Sequence, residues 1–366
     1  MSARSGRSLH TLAGAVALVA FTFVLPLTGP RTLKANDVLY TVTDLGALNC
    51  CSSWAASAAS ALNAQGDVAG STLSPTDPSR TVPFVYQNGT MMVISDTYGW
   101  AAGINDAGEV TGVFTPPGVL EQHAFVYRNG VFTDIGTLPG YSNQPYALPY
   151  AINNSGTVVG DSKAAAFVYE NGTMSIVKRL SARAAYAVND GGDVVGLLET
   201  VRGGSPHSNH GFLFSDNSMV DIGTLDGDSN SVSIPLGINR ARQIVGVAWK
   251  DGNSEERAFL WENGVFTELP LLAPPPGYDI HYSVATGINN RGDIIGESNA
   301  SQFVYRSGVL IDLNRAIEKD AGGVWPGIWR VSAINDTGQI AGTCYFGGDS
   351  AHACLLTPVA PGPPQL

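Results

Sequence analysis

Two acidic residues occupy matching places in a recurring phrase. Asp161 follows Val158-Val159-Gly160, and Glu297 follows Ile294-Ile295-Gly296. Two carboxylates at a set separation are what glycoside hydrolysis requires, one as acid and one as base or nucleophile. Asp226-Gly-Asp228-Ser-Asn230 has the 1,3,5 oxygen spacing of a calcium loop, but lacks the Gly and the acidic twelfth position that complete an EF-hand. The six histidines are scattered without an H-x3-H pair, which gives zinc catalysis no support. There is no G-x-S-x-G and no phosphate loop. Asp161 and Glu297 therefore read more simply as solvated loop carboxylates. The chain reads as a non-enzymatic binding protein with no cofactor.

Aromatic side chains are the richer signal. Trp54, Trp100, Trp325 and Trp329 fall in segments that join repeat units, with Tyr98, Tyr141, Tyr146, Tyr150, Tyr278, His281 and Tyr282. Ring faces beside polar groups suit sugars, whose C–H edges stack on them. Packing between structural units is the competing use of any one ring.

The first 35 residues differ from the rest. Arg4 and Arg7 precede an apolar run from Thr11 to Leu27, and Ala35 follows as a cleavage point. This is the layout of a secretory signal peptide. The run is short for a membrane span and carries Pro26; an uncleaved anchor is the alternative. The whole chain has a net charge of −11, and loss of this segment leaves 16 basic residues against 31 acidic ones. Such a surface repels phosphate backbones and anionic membranes, so nucleic acid is excluded as a partner. No span is expected in the mature chain, which is expected to be a monomer. In an oxidising compartment Cys50, Cys51, Cys344 and Cys354 are disulfide candidates with three possible pairings. A zinc site built from all four is the alternative, although the spacing is not C-x2-C.

The elements that must carry these residues are set by a repeat. ALNAQGDVAG at Ala61 returns as GINDAGEVTG at Gly103, AINNSGTVVG at Ala151 and AVNDGGDVVG at Ala187. It returns again as GINRARQIVG at Gly237, GINNRGDIIG at Gly287 and AINDTGQIAG at Ala333. Strand A ends at the Asn and strand B follows, ending in Gly. Strand C is an aromatic run such as AFVYRNG at Ala124, and strand D follows, as in VFTDIGTL. Asn-Gly between C and D predicts a type I′ hairpin. In the A–B turn, Asn bonds the backbone two residues on and Gly takes the left-handed place; Arg242 replaces that Gly once, predicting strain or another turn.

Four strands per 36 to 50 residues, seven times over, predict an all-β, seven-bladed β-propeller. The seventh unit lacks a D strand, while the segment from Val38 to Gly46 is a lone D strand. The N-terminal strand is therefore expected to complete the last blade and close the ring. The resulting layout is a signal peptide over 1–35, a propeller over 36–358 and a Pro-rich disordered tail over 359–366.

His123-Ala124-Phe125, set among the AINDxGxVVG and TDIGTLPG phrases, resembles the HAF repeat family of extracellular bacterial proteins, over about residues 38–357. The resemblance implies a secreted repeat protein with a propeller fold, and no defined reaction. The short A–B and C–D turns share one face, and the variable B–C and D–A loops share the other. A glycan or protein ligand is expected on the loop face. The candidate contacts are Trp54, Trp100, Tyr141, Tyr146, His281, Tyr282, Trp325 and Trp329. A polysaccharide-active hydrolase or lyase and a structural protein of the cell surface are the alternatives.

Overall fold

The computed structural model describes residues 39–48, 56–139, 146–163, 165–177, 182–200, 208–250, 255–277, 279–317, 327–346 and 351–359. The expected signal peptide, Cys50, Cys51, Trp54, Tyr141, Tyr278, Trp325 and all but the first residue of the tail lie outside them.

These residues form seven four-stranded antiparallel sheets. Six follow the order A-B-C-D along the chain. The seventh takes A, B and C from Gly327–Ile334, Ile340–Tyr345 and Ala351–Pro358, and D from Tyr40–Asp44. The A strands of consecutive blades touch one another, and that of blade 7 touches that of blade 1. The fold is thus a closed seven-bladed propeller with the A strands around the axis. A single helical turn, Leu313–Ala316, follows blade 6. Its last carbonyl accepts from Leu39 N–H, so it steers the closing strand into place.

Steric contacts explain the recurring Gly and Phe. A Cβ on the strand-B glycine would lie 2.0–2.3 Å from a strand-A carbonyl oxygen in every blade, from Gly70 to Gly342. Opposite that Gly, strand C places Phe84, Phe125, Phe167, Phe212, Phe259 or Phe303, each fully buried. Glycine lets the two backbones approach and leaves room for the ring. In blade 7 the position opposite Gly342 is Cys354, which is bonded to Cys344. The disulfide stands where the other blades keep a phenylalanine.

The turns form as their residues require. In the C–D hairpins Asn88-Gly89, Asn129-Gly130, Asn171-Gly172 and Asn263-Gly264 have positive φ at both places. Arg242 does not force another turn: its φ is +60° and its N–H still bonds Asn239 O. Its guanidinium reaches Asp193 at 2.9 Å and Asp216 at 3.2 Å, which offsets the strain.

The histidine of the HAF phrase has a partner in the TDIG phrase. His123 Nδ1 lies 2.9 Å from Asp134, His210 Nδ1 2.9 Å from Asp221, and His352 Nδ1 3.0 Å from Asp44. The same carboxylates accept from Gly136, Gly223 and Gly46 N–H. The third pair joins the C strand of blade 7 to the closing N-terminal strand.

Candidate functional site: the axial channel

The channel is built in layers, each set by distance from the repeated Asn. At the A–B turn face, Asn63, Asn105, Asn153, Asn189, Asn239, Asn289 and Asn335 form a closed ring. Each Nδ2 donates to the carbonyl of the next blade's Asn, at 3.0–3.2 Å, and Asn335 returns to Asn63. Each Oδ1 accepts backbone N–H groups of its own turn, as Asn153 does from Ser155 and Thr157. The next residues make an outer ring that includes Asp106, Asn154, Asp190, Arg240, Asn290 and Asp336, linked between blades. Together with an aliphatic layer one residue before the Asn, they line a cavity of about 190 Å³. These groups satisfy one another, and the turn face is structural.

The other half of the channel is different. Three residues before each Asn, strand A carries a β-bulge. The bulged residues are Ser60, Ala102, Tyr150, Tyr186, Leu236, Thr286 and Ser332. A bulge re-aims a side chain, and here all but Ala102 line a cavity of about 480 Å³ toward the D–A loops. That size is in the range of ligand pockets. Blades 4 and 7 have a second bulge, at Arg183 and Trp329. Arg183 is paired with Glu199. In blade 7 the equivalent positions are Trp329 and Tyr345, whose rings lie 6.0 Å apart. Trp329 is 60% exposed and lines the cavity with Arg330.

Tyr150 and Tyr186 stand side by side, ring centroids 5.2 Å apart. The Tyr150 and Tyr146 hydroxyls each donate to the buried Asp161 carboxylate at 3.2 Å. Burial and the nearby carboxylate both push the Tyr150 hydroxyl well above its usual pKa, and the same two causes raise Tyr186. Both therefore remain neutral donors at any physiological pH.

The described members of the expected loop site lie in different places. Trp100 and Trp329 lie in innermost A strands and not in loops, because strand A starts earlier than the repeat phrase indicates. Trp100 packs edge-on to Tyr98, ring centroids 6.2 Å apart, and is not part of the cavity wall. His281 pairs with Asp279 on an exposed loop of blade 6, and the Tyr282 hydroxyl donates to Glu297. Tyr146 is not part of the cavity wall; its hydroxyl shares Asp161 with that of Tyr150. Among the described residues, Trp329 is the one expected contact that lines the cavity. Asp161 and Glu297 are held by tyrosines in blades 3 and 6, and neither forms part of the cavity wall. In the calcium-like loop, Asp226 accepts from Asp228 N–H and Ser231, and Asp228 accepts from Asn230. No group of three or more His, Cys, Asp or Glu is gathered for a metal among the described residues. Sequence reasoning missed Tyr186, Leu236, Arg330 and the serine and threonine walls, because the bulged position carries no fixed residue type.

Fold and channel together define the class: a disulfide-bearing, velcro-closed propeller with one aromatic-lined axial mouth. No family model matches the chain, and no curated protein matches it. Solved structures do. A puromycin-hydrolyzing peptidase of Mycobacterium tuberculosis superposes with TM-score 0.55 at 12% identity, over 88% of this chain and 55% of that one. The chain thus spans about half the length of that peptidase. The β-propeller domain of the trilobed protease from Pyrococcus furiosus gives 0.55 at 7%, over 85% of this chain and 100% of that one. Pyrococcus horikoshii acylaminoacyl peptidase gives 0.53 at 10%, over 86% and 54%. At such identities the likeness shows the fold. The Pyrococcus furiosus domain is described as having an open velcro topology; here the N-terminal strand closes the ring. No helix among the described residues is long and apolar enough to cross a membrane.

Proposed function

We propose that this propeller binds a glycan in the loop-side mouth of its axial channel, without transforming it. The observation that carries the reading is the set of bulges that turn Tyr150, Tyr186 and Trp329 toward one cavity ringed by Ser60, Thr286 and Ser332. Flat apolar faces with hydroxyls between them match a pyranose, which presents C–H edges and hydroxyl groups together. We read the chain as exported, on the basic and apolar layout of its first 35 residues, and as a relative of the HAF repeat proteins, on its motifs.

The experiment is a glycan array on oxidised protein, with Trp329→Ala and Tyr186→Ala variants checked for folding by circular dichroism. Binding that falls at least tenfold in either folded variant supports the reading. Wild-type protein that binds no glycan, or binding untouched by both substitutions, overturns it.

A second reading, a polysaccharide-active hydrolase, has its own support. The Asp161 carboxylate lies one tyrosine away from the cavity, bonded to the Tyr150 hydroxyl. Release of reducing ends from a polysaccharide that stops in Asp161→Asn would favour it over binding without chemistry.

A further inference from the structure

We infer that the ligand of this mouth carries a carboxylate, and that Arg330 reads it: the class is a uronic-acid-containing saccharide. The inference rests on the glycan reading above and narrows it.

The chain carries 31 acidic residues against 20 basic ones. Most of its arginines are neutralised locally: Arg128 by Glu109, Arg183 by Glu199, Arg240 by Asp190, Arg242 by Asp193, Arg306 by Asp293. Arg330 makes no ion pair among the described residues, yet it sits in the cavity wall. The contrast with blade 4 is internal to the molecule. There the bulge before the channel holds Arg183 and its partner Glu199, a closed pair. In blade 7 the same two positions hold Trp329 and Tyr345, so the carboxylate partner is missing and the cation has moved one residue on, to Arg330. A guanidinium with no carboxylate partner among the described residues, beside a ring that is 60% exposed, is complementary to a planar carboxylate attached to a stackable ring. A neutral sugar would leave the charge unused. Tyr150 and Tyr186, centroids 5.2 Å apart and tilted 54° to one another, add ring surface to the same cavity for the C–H edges of a sugar.

The test compares neutral and uronic-acid oligosaccharides of matched length, glucose-based against glucuronate-based, by isothermal titration calorimetry at low and high salt. The proteins are the wild-type full chain, Arg330→Gln and Arg330→Lys. The expected result is a preference for the acidic oligosaccharide of about tenfold in wild type, weakened by salt, from one charge-assisted contact. Arg330→Gln should abolish the preference, and Arg330→Lys should keep part of it. Equal affinity for both sugars, or a preference that survives Arg330→Gln, overturns the inference while the glycan reading stands. Binding of neither sugar overturns both. Binding only of a peptide with a free C-terminal carboxylate, lost in Arg330→Gln, overturns the saccharide class.

Discussion

Asn153 does two things with one amide. Its Oδ1 holds its own turn by accepting from Ser155 and Thr157, and its Nδ2 ties blade 3 to blade 4 through Asn189 O at 3.0 Å. The group is buried, so each lost bond leaves an unsatisfied polar atom. Asn153→Ala should cost about 2–4 kcal/mol in urea unfolding. Asn153→Asp is the sharper test, since it keeps the turn acceptors but loses the donor and sets a carboxylate against a carbonyl. It should be destabilised at least as much; a neutral result would mean that the ring bond contributes nothing. The Asn was legible in the sequence as a turn former. Its second role was not, because the partner carbonyl belongs to the next blade's backbone, which no side-chain pattern reports.

At the scale of strands, the repeat made the four elements of each blade readable, along with the hairpin turns and the ring closure. Each follows from a residue type that the local backbone demands: Gly where a Cβ would clash, Asn-Gly where φ is positive twice. The bulges escaped for the opposite reason. Their side chains face the open axis, so Ser60, Tyr150, Leu236 and Thr286 are all accommodated, and composition carries no signal. The pairing of Cys344 with Cys354 was one of several open possibilities until register placed Cys354 opposite Gly342. That register yields a prediction. Reduction should destabilise the folded chain by about 2–3 kcal/mol, as expected for a short closed loop. The double substitution Cys344→Ala with Cys354→Phe should recover most of the loss and melt at the same temperature with or without reductant. A double variant that is no more stable than Cys344→Ala with Cys354→Ala would show that the sixfold phenylalanine position has no counterpart in blade 7.

For the molecule as a whole, stability depends on how the N-terminal strand is held. Arg306 spans from Asp293 at 3.0 Å to the Tyr40 hydroxyl at 3.2 Å, and Arg291 reaches Asp293 at 2.7 Å. Burial pushes the Asp293 carboxyl up, but hydrogen bonds from Arg306, Asn289 and Arg291 outweigh it and hold its pKa below the ordinary carboxylate range. A depressed folded-state pKa adds stability above about pH 4, and that stability is lost as pH falls through the depressed value. Melting temperature should therefore drop on acidification below pH 4. In Asp293→Asn the melting temperature should start lower at pH 7 and fall less over the same range. Parallel curves for the two proteins would remove Asp293 as the cause.

The pairing of Tyr40–Asp44 with Ala351–Pro358 also fixes an order of events. Thr41 bonds the carbonyl of Thr357, 316 residues further along the chain. During synthesis the first strand of the propeller emerges early, and the strand that receives it emerges last. Until then the nascent chain holds an unpaired strand at one end and a ring that cannot shut. Contacts of such long sequence separation form slowly, and exposed strand edges invite pairing with other chains. The closed ring is thus completed only after translation reaches its final strand. A chain stopped before residue 351 should be held by chaperones or aggregate, however well its first six blades have folded.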